Sequence, residues 1–152
     1  MTSGDPFDRD DLPAAERLVA APVADVYAAV DDVDRWSGWV EAVVGPVQAR
    51  DDKTFEMSAI RDGKTSSHRV VKAARGPVHS LNLDVDDQWR VYVRTRPHPS
   101  GTHVGLVVEP LHKPSLRDRF SRDRRPTERS ARLRAFLDQL AAYVERGREP
   151  AV

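Results

Sequence analysis

The chain of 152 residues carries 24 basic and 24 acidic side chains and no cysteine. A formal net charge of zero speaks against whole-molecule attraction to nucleic acid or anionic lipid. Without cysteine there is no disulfide framework, no thiolate nucleophile and no Cys-based zinc or iron–sulfur site. Hydrophobic content of 39% against 32% charged residues fits one soluble domain that can bury a core. No apolar run reaches membrane-spanning length and the N-terminus lacks a basic-then-apolar signal pattern, so the expected compartment is the cytoplasm.

Met1 to Asp11 is polar and acidic and reads as a disordered tail, with Phe7 as its one apolar anchor. The domain is expected over 12–148, with a frayed end over 149–152. Glu16 to Ala21 predicts a first strand, ended by Pro22. Pro22 suits a first helical turn, and Val23, Val26, Tyr27 and Val30 supply the helical stripe. Asp31, Asp32 and Asp34 interrupt that stripe and read as a solvated capping corner. Arg35 to Val40 predicts a second short helix with Trp36 and Trp39 on one side.

Six strand candidates follow. Val43–Arg50 contains Gly45-Pro46 and is expected to be bent, bulged or at an edge. Thr54–Arg61 and Thr65–Ala73 flank Asp62-Gly63, a strong hairpin signal. Val78–Val85, Gln88–Arg96 and Thr102–Glu109 alternate apolar and polar residues, separated by Asp86-Asp87 and by a loop over Pro97–Gly101. Short turns between successive strands predict an antiparallel meander with one buried face. Ser115 and Asp118 resemble a capping box for a short helix near Leu116. From Ser130 to Arg146, Leu133, Phe136, Leu137, Leu140, Ala141 and Val144 recur at three- and four-residue steps, predicting a long helix with one apolar face. Such a helix is marginal alone and must be buried against the sheet.

The stretch Val19-Ala20-Ala21-Pro22-Val23-Ala24-Asp25-Val26-Tyr27, followed by Asp32-Val33-Asp34-Arg35-Trp36-Ser37-Gly38-Trp39, resembles the opening of the START-like (SRPBCC) superfamily. Ser37-Gly38 stands where Pro-x is common in that group. Gly101-Thr102-His103-Val104 is similar to the start of the superfamily's last strand. The likeness covers roughly Ala15 to Arg146. It implies an α+β helix-grip fold: a curved antiparallel sheet of about seven strands wrapped around a long C-terminal helix, with two short helices after strand one. It also implies an apolar cavity between sheet and helix. The group hosts carriers, polyketide cyclase/dehydrase-like enzymes and regulators, so the motifs carry the fold and not an activity.

By alternation, Leu81, Leu83, Val85, Trp89, Val91, Val93, Val104, Leu106 and Val108 fall on the inner face, with Phe55 and Met57 beside them. Leu133, Phe136, Leu137 and Leu140 stand opposite. With Trp36 and Trp39, the expected ligand-lining set is Phe55, Met57, Leu81, Leu83, Trp89, Val91, Val93, Val104, Leu106, Phe136 and Leu140. His79 shares the phase of Leu81, and His68 that of Val70. These two are the candidates for a general base or ligand anchor, set against the commoner role of a satisfied strand histidine. The five histidines show no metal-ligand spacing, and neither a metal nor a cofactor is expected. No Gly-x-Ser-x-Gly or phosphate-loop motif occurs. Arg90, Arg94 and Arg96 read as a solvated convex face. The arginine-rich stretch 113–134, with Leu116 and Phe120 within it, is either an exposed helix start or a contact for an anionic membrane or protein partner. The expected function is therefore binding of a hydrophobic lipid, polyketide or aromatic metabolite. A cyclase/dehydratase-like enzyme in the same cavity, or an interaction module without ligand, are the alternatives.

Overall fold

The computed structural model describes residues 6–75, 80–112 and 125–146. In chain order these form β1 (Ala14–Val19), α1 (Val23–Asp31), a 3-10 segment (Val33–Gly38), β2 (Val43–Ala49), β3 (Thr54–Arg61), β4 (Lys64–Arg75), β5 (Ser80–Val85), β6 (Trp89–His98), β7 (Gly101–Pro110) and α2 (Arg125–Arg146). The seven strands make one sheet in the order β1-β7-β6-β5-β4-β3-β2, antiparallel throughout. Successive strands from β2 to β7 are neighbours, and β1 closes the sheet beside β7. This is the helix-grip arrangement, with the curved sheet and α2 enclosing the core.

Turn chemistry sets the hairpins. Asp62 and Gly63 both take positive φ, at 52° and 76°, as a tight hairpin between right-twisted strands requires. Asp86 and Asp87 do the same at 55° each without a glycine, which is a strained backbone. Gly45 at 76° introduces the expected irregularity of β2: its pairing with β3 shifts between Val44 and Gln48, and β2 is the sheet's edge. Alternation then sorts the faces. Phe55, Met57, Val70, Leu81, Leu83, Val93, Val104 and Leu106 are buried against Val26, Val30, Val33, Leu137, Leu140, Ala141 and Val144.

The helix α2 runs alongside β1 and is tied to it at three points. The Ala14 N–H donates to Ser130 Oγ (3.3 Å), Arg17 is paired with Asp138, and the Ala20 N–H donates to Glu145 Oε2 (3.4 Å). From Ser130 to Glu145 a helix rises about 22 Å, and Ala14 to Ala20 in a strand spans about 20 Å, so the two elements keep in step.

Several boundaries differ from the sequence expectation. The first strand ends at Val19, because Ala21 turns back to bond the Val19 carbonyl (2.9 Å) and enters α1. The second short helix is a 3-10 segment that starts at Val33 and stops at Gly38, earlier than Arg35 to Val40. The fifth candidate strand continues through Pro97, and the last begins at Gly101, so the expected loop shrinks to a tight turn. The final helix begins five residues before Ser130, with Pro126 in its first turn. Within the expected N-terminal tail, Pro6–Asp8 forms a 3-10 turn, and Phe7 packs over Gly105 beneath the Arg94 guanidinium (4.0 Å). The expected helix near Leu116 and the glycine cap at Gly147 lie outside the described residues.

Candidate functional site

The helix lies nearest to β1, then to α1, and shares one buried cluster with the inward-facing residues of the other strands. At its C-terminal half Leu137, Leu140, Ala141 and Val144 are buried, closing that end. Nearer its N-terminus Leu133 and Phe136 are only partly buried, as are Val85 and Val91 on the sheet. Trp89 is likewise partly exposed, and the Arg129 guanidinium of α2 stacks on its ring at 3.7 Å, bridging helix and sheet.

Trp36, Trp39 and Phe136 form one aromatic cluster, with ring centroids 5.0–6.2 Å apart and tilted to edge-on geometry. The 3-10 segment and the residue that caps it carry the two indoles into the core, and Trp36 Nε1–H is satisfied by the Val30 carbonyl at 3.1 Å. Trp39 is 8% exposed and stacks on Tyr143, yet its buried Nε1–H has no hydrogen-bond partner among the described residues. A buried donor left in that state is uncommon.

Two polar constellations stand on the concave side. Lys72 Nζ lies 3.3 Å from Asp31 at the end of α1 and 5.3 Å from the Phe55 ring centroid, with only 15% of its side chain exposed. Farther along the same strand, His68 Nδ1 lies 2.6 Å from Asp86 Oδ2, and its Nε2 lies 2.8 Å from Ser66 Oγ. Asp86 Oδ1 also accepts the Arg69 N–H at 2.8 Å. His68 and Asp86 border a cleft of about 720 Å³ that opens beside the β2 bulge, together with Val44, Pro46, Glu56 and Ser67. Near the β3–β4 turn, desolvation and the like charge of Arg61 push the Arg132 pKa down, while Glu128 and Asp62 oppose the shift. A second cleft of about 380 Å³ lies between α1 and α2, beside Asp32, Trp39 and Tyr143.

The expected ligand-lining residues divide into two groups. Leu81, Leu83, Val93, Val104, Leu106 and Leu140 are at most 2% exposed and form the floor of the core. Phe55, Met57, Trp36 and Trp39 are 5–8% exposed, and Trp89, Val91 and Phe136 are only partly buried. His79 lies outside the described residues. His68 is on the concave side, as its phase with Val70 requires. His103 points outward to Glu16 (3.2 Å), His98 Nδ1 accepts the Ser100 N–H (3.0 Å), and His112 donates to the Asp87 carbonyl (3.0 Å). On the convex face, a fork from Arg90 to Asp84 (2.7 and 3.0 Å) raises the arginine's pKa above its usual value. Among the described residues no three acidic or histidine side chains are grouped to hold a metal, and no helix is long and apolar enough to cross a membrane. Lys72 and Asp31, and Ser66 and Asp86 around His68, had no sequence signature, since each grouping depends on long-range placement.

The fold is that of the START-like helix-grip proteins. A crystal structure of TTHA0849 from Thermus thermophilus superposes with a TM-score of 0.70 over 91% of this chain and 99% of that one, at 17% identity. The di-domain ARO/CYC StfQ of the steffimycin biosynthetic pathway matches at 0.69, with 19% identity, over 92% of this chain and 54% of its own. The Zhui aromatase/cyclase from Streptomyces sp. R1128 matches at 0.69 with 12% identity, over 88% and 92%. No family model and no curated protein sequence matches the chain.

Proposed function

We propose that the protein binds a hydrophobic small molecule, of lipid, polyketide or aromatic-metabolite type, between the concave face of the sheet and the N-terminal half of α2. The observation that carries this reading is the uneven seating of α2: tied to β1 along its length, it leaves Val85, Trp89, Val91, Leu133 and Phe136 only partly covered. An apolar lining with a few polar groups, here Lys72 and His68, is the usual make-up of a small-molecule site.

A cyclase/dehydratase-like enzyme using the same space is the second reading. It draws on the two aromatase/cyclase proteins that share the fold and on the titratable groups on the concave side. Native mass spectrometry of the freshly purified protein, with identification of any released compound, tests binding directly. A panel of fatty acids and polycyclic aromatics follows it by thermal shift, where a ligand at a hundred times its Kd adds about 2.7 kcal/mol. An empty protein that no member of the panel stabilises overturns the binding reading.

A further inference from the structure

We propose that Ser66, His68 and Asp86 form an acyl-transfer centre that hydrolyses carboxylic esters of apolar acids. For its substrate class this rests on the binding reading above.

Ser66 and His68 are two apart on β4, so both side chains stand on the concave side. The Ser66 hydroxyl is 2.8 Å from His68 Nε2, and His68 Nδ1 is 2.6 Å from Asp86 Oδ2. Asp86 is held from a different strand turn. Its backbone sits at φ 55°, its N–H donates to the Arg69 carbonyl (2.8 Å) and its Oδ1 accepts the Arg69 N–H (2.8 Å). A carboxylate so placed takes the proton-bearing Nδ1 as its donor and leaves the Nε2 lone pair to accept from the serine. A clamp between β4 and the β5–β6 turn accounts for Asp86 and His68. It gives no reason for an exposed hydroxyl to be lined up on the far ring nitrogen.

The surroundings suit the chemistry. His68 and Asp86 keep 29% and 28% of their side chains exposed, shielded yet open to a reactant. His68 lies opposite buried Met57, at the rim of the apolar face. Ser66 is paired with Ala59, which puts Arg61, two residues on along β3, on the same side, and Arg132 of α2 lies within electrostatic reach of Arg61. Positive charge on the serine's side of the sheet favours the oxyanion formed on attack.

In the reaction, Ser66 Oγ bonds to the ester carbonyl carbon while its proton passes to His68 Nε2. The tetrahedral adduct collapses, the ester C–O bond breaks, and the alcohol leaves with the proton from His68. Water, deprotonated by His68, then attacks acyl-Ser66 and releases the carboxylic acid and the free serine. The net change is ester plus water to acid plus alcohol.

The test uses the full chain with a serine-directed fluorophosphonate and with p-nitrophenyl butyrate. The expected results are an adduct mapped to Ser66 by peptide mass spectrometry and ester hydrolysis above the buffer rate. Both are lost in Ser66→Ala, whose melting temperature stays unchanged because the side chain is exposed. His68→Gln slows labelling by about a hundredfold or more. Asp86→Asn, acting on a positioning residue, lowers kcat while KM holds. Absence of an adduct at Ser66, or a labelling rate indifferent to His68→Gln, overturns the proposal. The phosphonate is small and needs no cavity. A labelled Ser66 in a chain that no apolar ligand stabilises therefore supports the centre and tells against the binding reading. A chain that binds apolar ligands but leaves Ser66 unlabelled overturns the centre alone.

Discussion

The Thr102 hydroxyl, fully buried, donates to the carbonyl of Ala21 at 2.7 Å and pins the turn between β1 and α1 to the start of β7. Thr102→Val keeps the shape and removes the donor, leaving that carbonyl without its partner. The expected loss of stability is about 1–3 kcal/mol. Denaturant unfolding checks it, and a loss of less than a few tenths would remove the bond from the account of the fold.

The neighbouring position is more demanding. Gly101 has φ 145°, and a Cβ added there would lie 2.1 Å from the Val19 carbonyl oxygen, a backbone atom that cannot swing away. Gly101→Ala is expected to destabilise by more than about 3 kcal/mol. Gly38→Ala serves as the control, since nothing lies within 4 Å of its Cβ position, and its expected effect is within about 1 kcal/mol of zero or stabilising. Melting temperatures of the two variants should separate clearly.

Core residues and those of the proposed ligand site should respond differently to changes of volume. Leu140 is fully buried, and Leu140→Ala is expected to lose about 2–5 kcal/mol. Val91 is partly exposed on the concave face, so Val91→Trp adds bulk against the proposed ligand site and not within the closed core. Val91→Trp is expected to keep the wild-type melting temperature within a few degrees and to abolish the thermal shift given by apolar ligands. A Val91→Trp protein that still binds them places the ligand elsewhere.

Acid should loosen the β2–β3 hairpin first. Asp51 accepts the backbone N–H groups of Lys53 and Thr54, both at 2.8 Å, and these bonds lower its pKa. The guanidinium of Arg50, at 2.6–2.9 Å, likewise lowers the pKa of Glu56. A carboxyl depressed in the folded state contributes stability above its unfolded pKa and loses it as pH falls through the folded value. Amide exchange at Lys53 and Thr54, corrected for intrinsic rates, is therefore expected to be flat from neutral pH down to the ordinary carboxylate range and to rise below it. Asp51→Ala should show the faster exchange already at neutral pH.

Much of the fold could be read from alternation alone. Leu81 and Leu83 against Asn82 and Asp84 gave the right face, and Asp62-Gly63 the right hairpin, because both signals are local and nothing tertiary opposes them. The start of the chain was harder. Ala20 and Ala21 extend the apolar run of β1, yet the backbone has already turned there, and only the bond from Thr102, 81 residues away, reveals why. The polar groups on the concave side were harder still. His68 and Asp86 are 18 residues apart, and they meet only through the β4–β5 register and a left-handed backbone at a non-glycine residue. Lys72 on β4 finds Asp31 at the end of α1, a pairing that only the assembled domain creates.

The Gly45-Pro46 bulge bears on how this sheet behaves in a crowd of its own copies. An open sheet has two rims, and each unpaired run of backbone there is a template on which another chain can extend the ladder. On the β1 rim, Ser130 and Glu145 already occupy the N–H groups of Ala14 and Ala20. On the β2 rim the ladder is broken midway, and Pro46 has no N–H to offer. A chain with both rims blunted in this way can keep a seven-stranded open sheet without inviting fibrous growth.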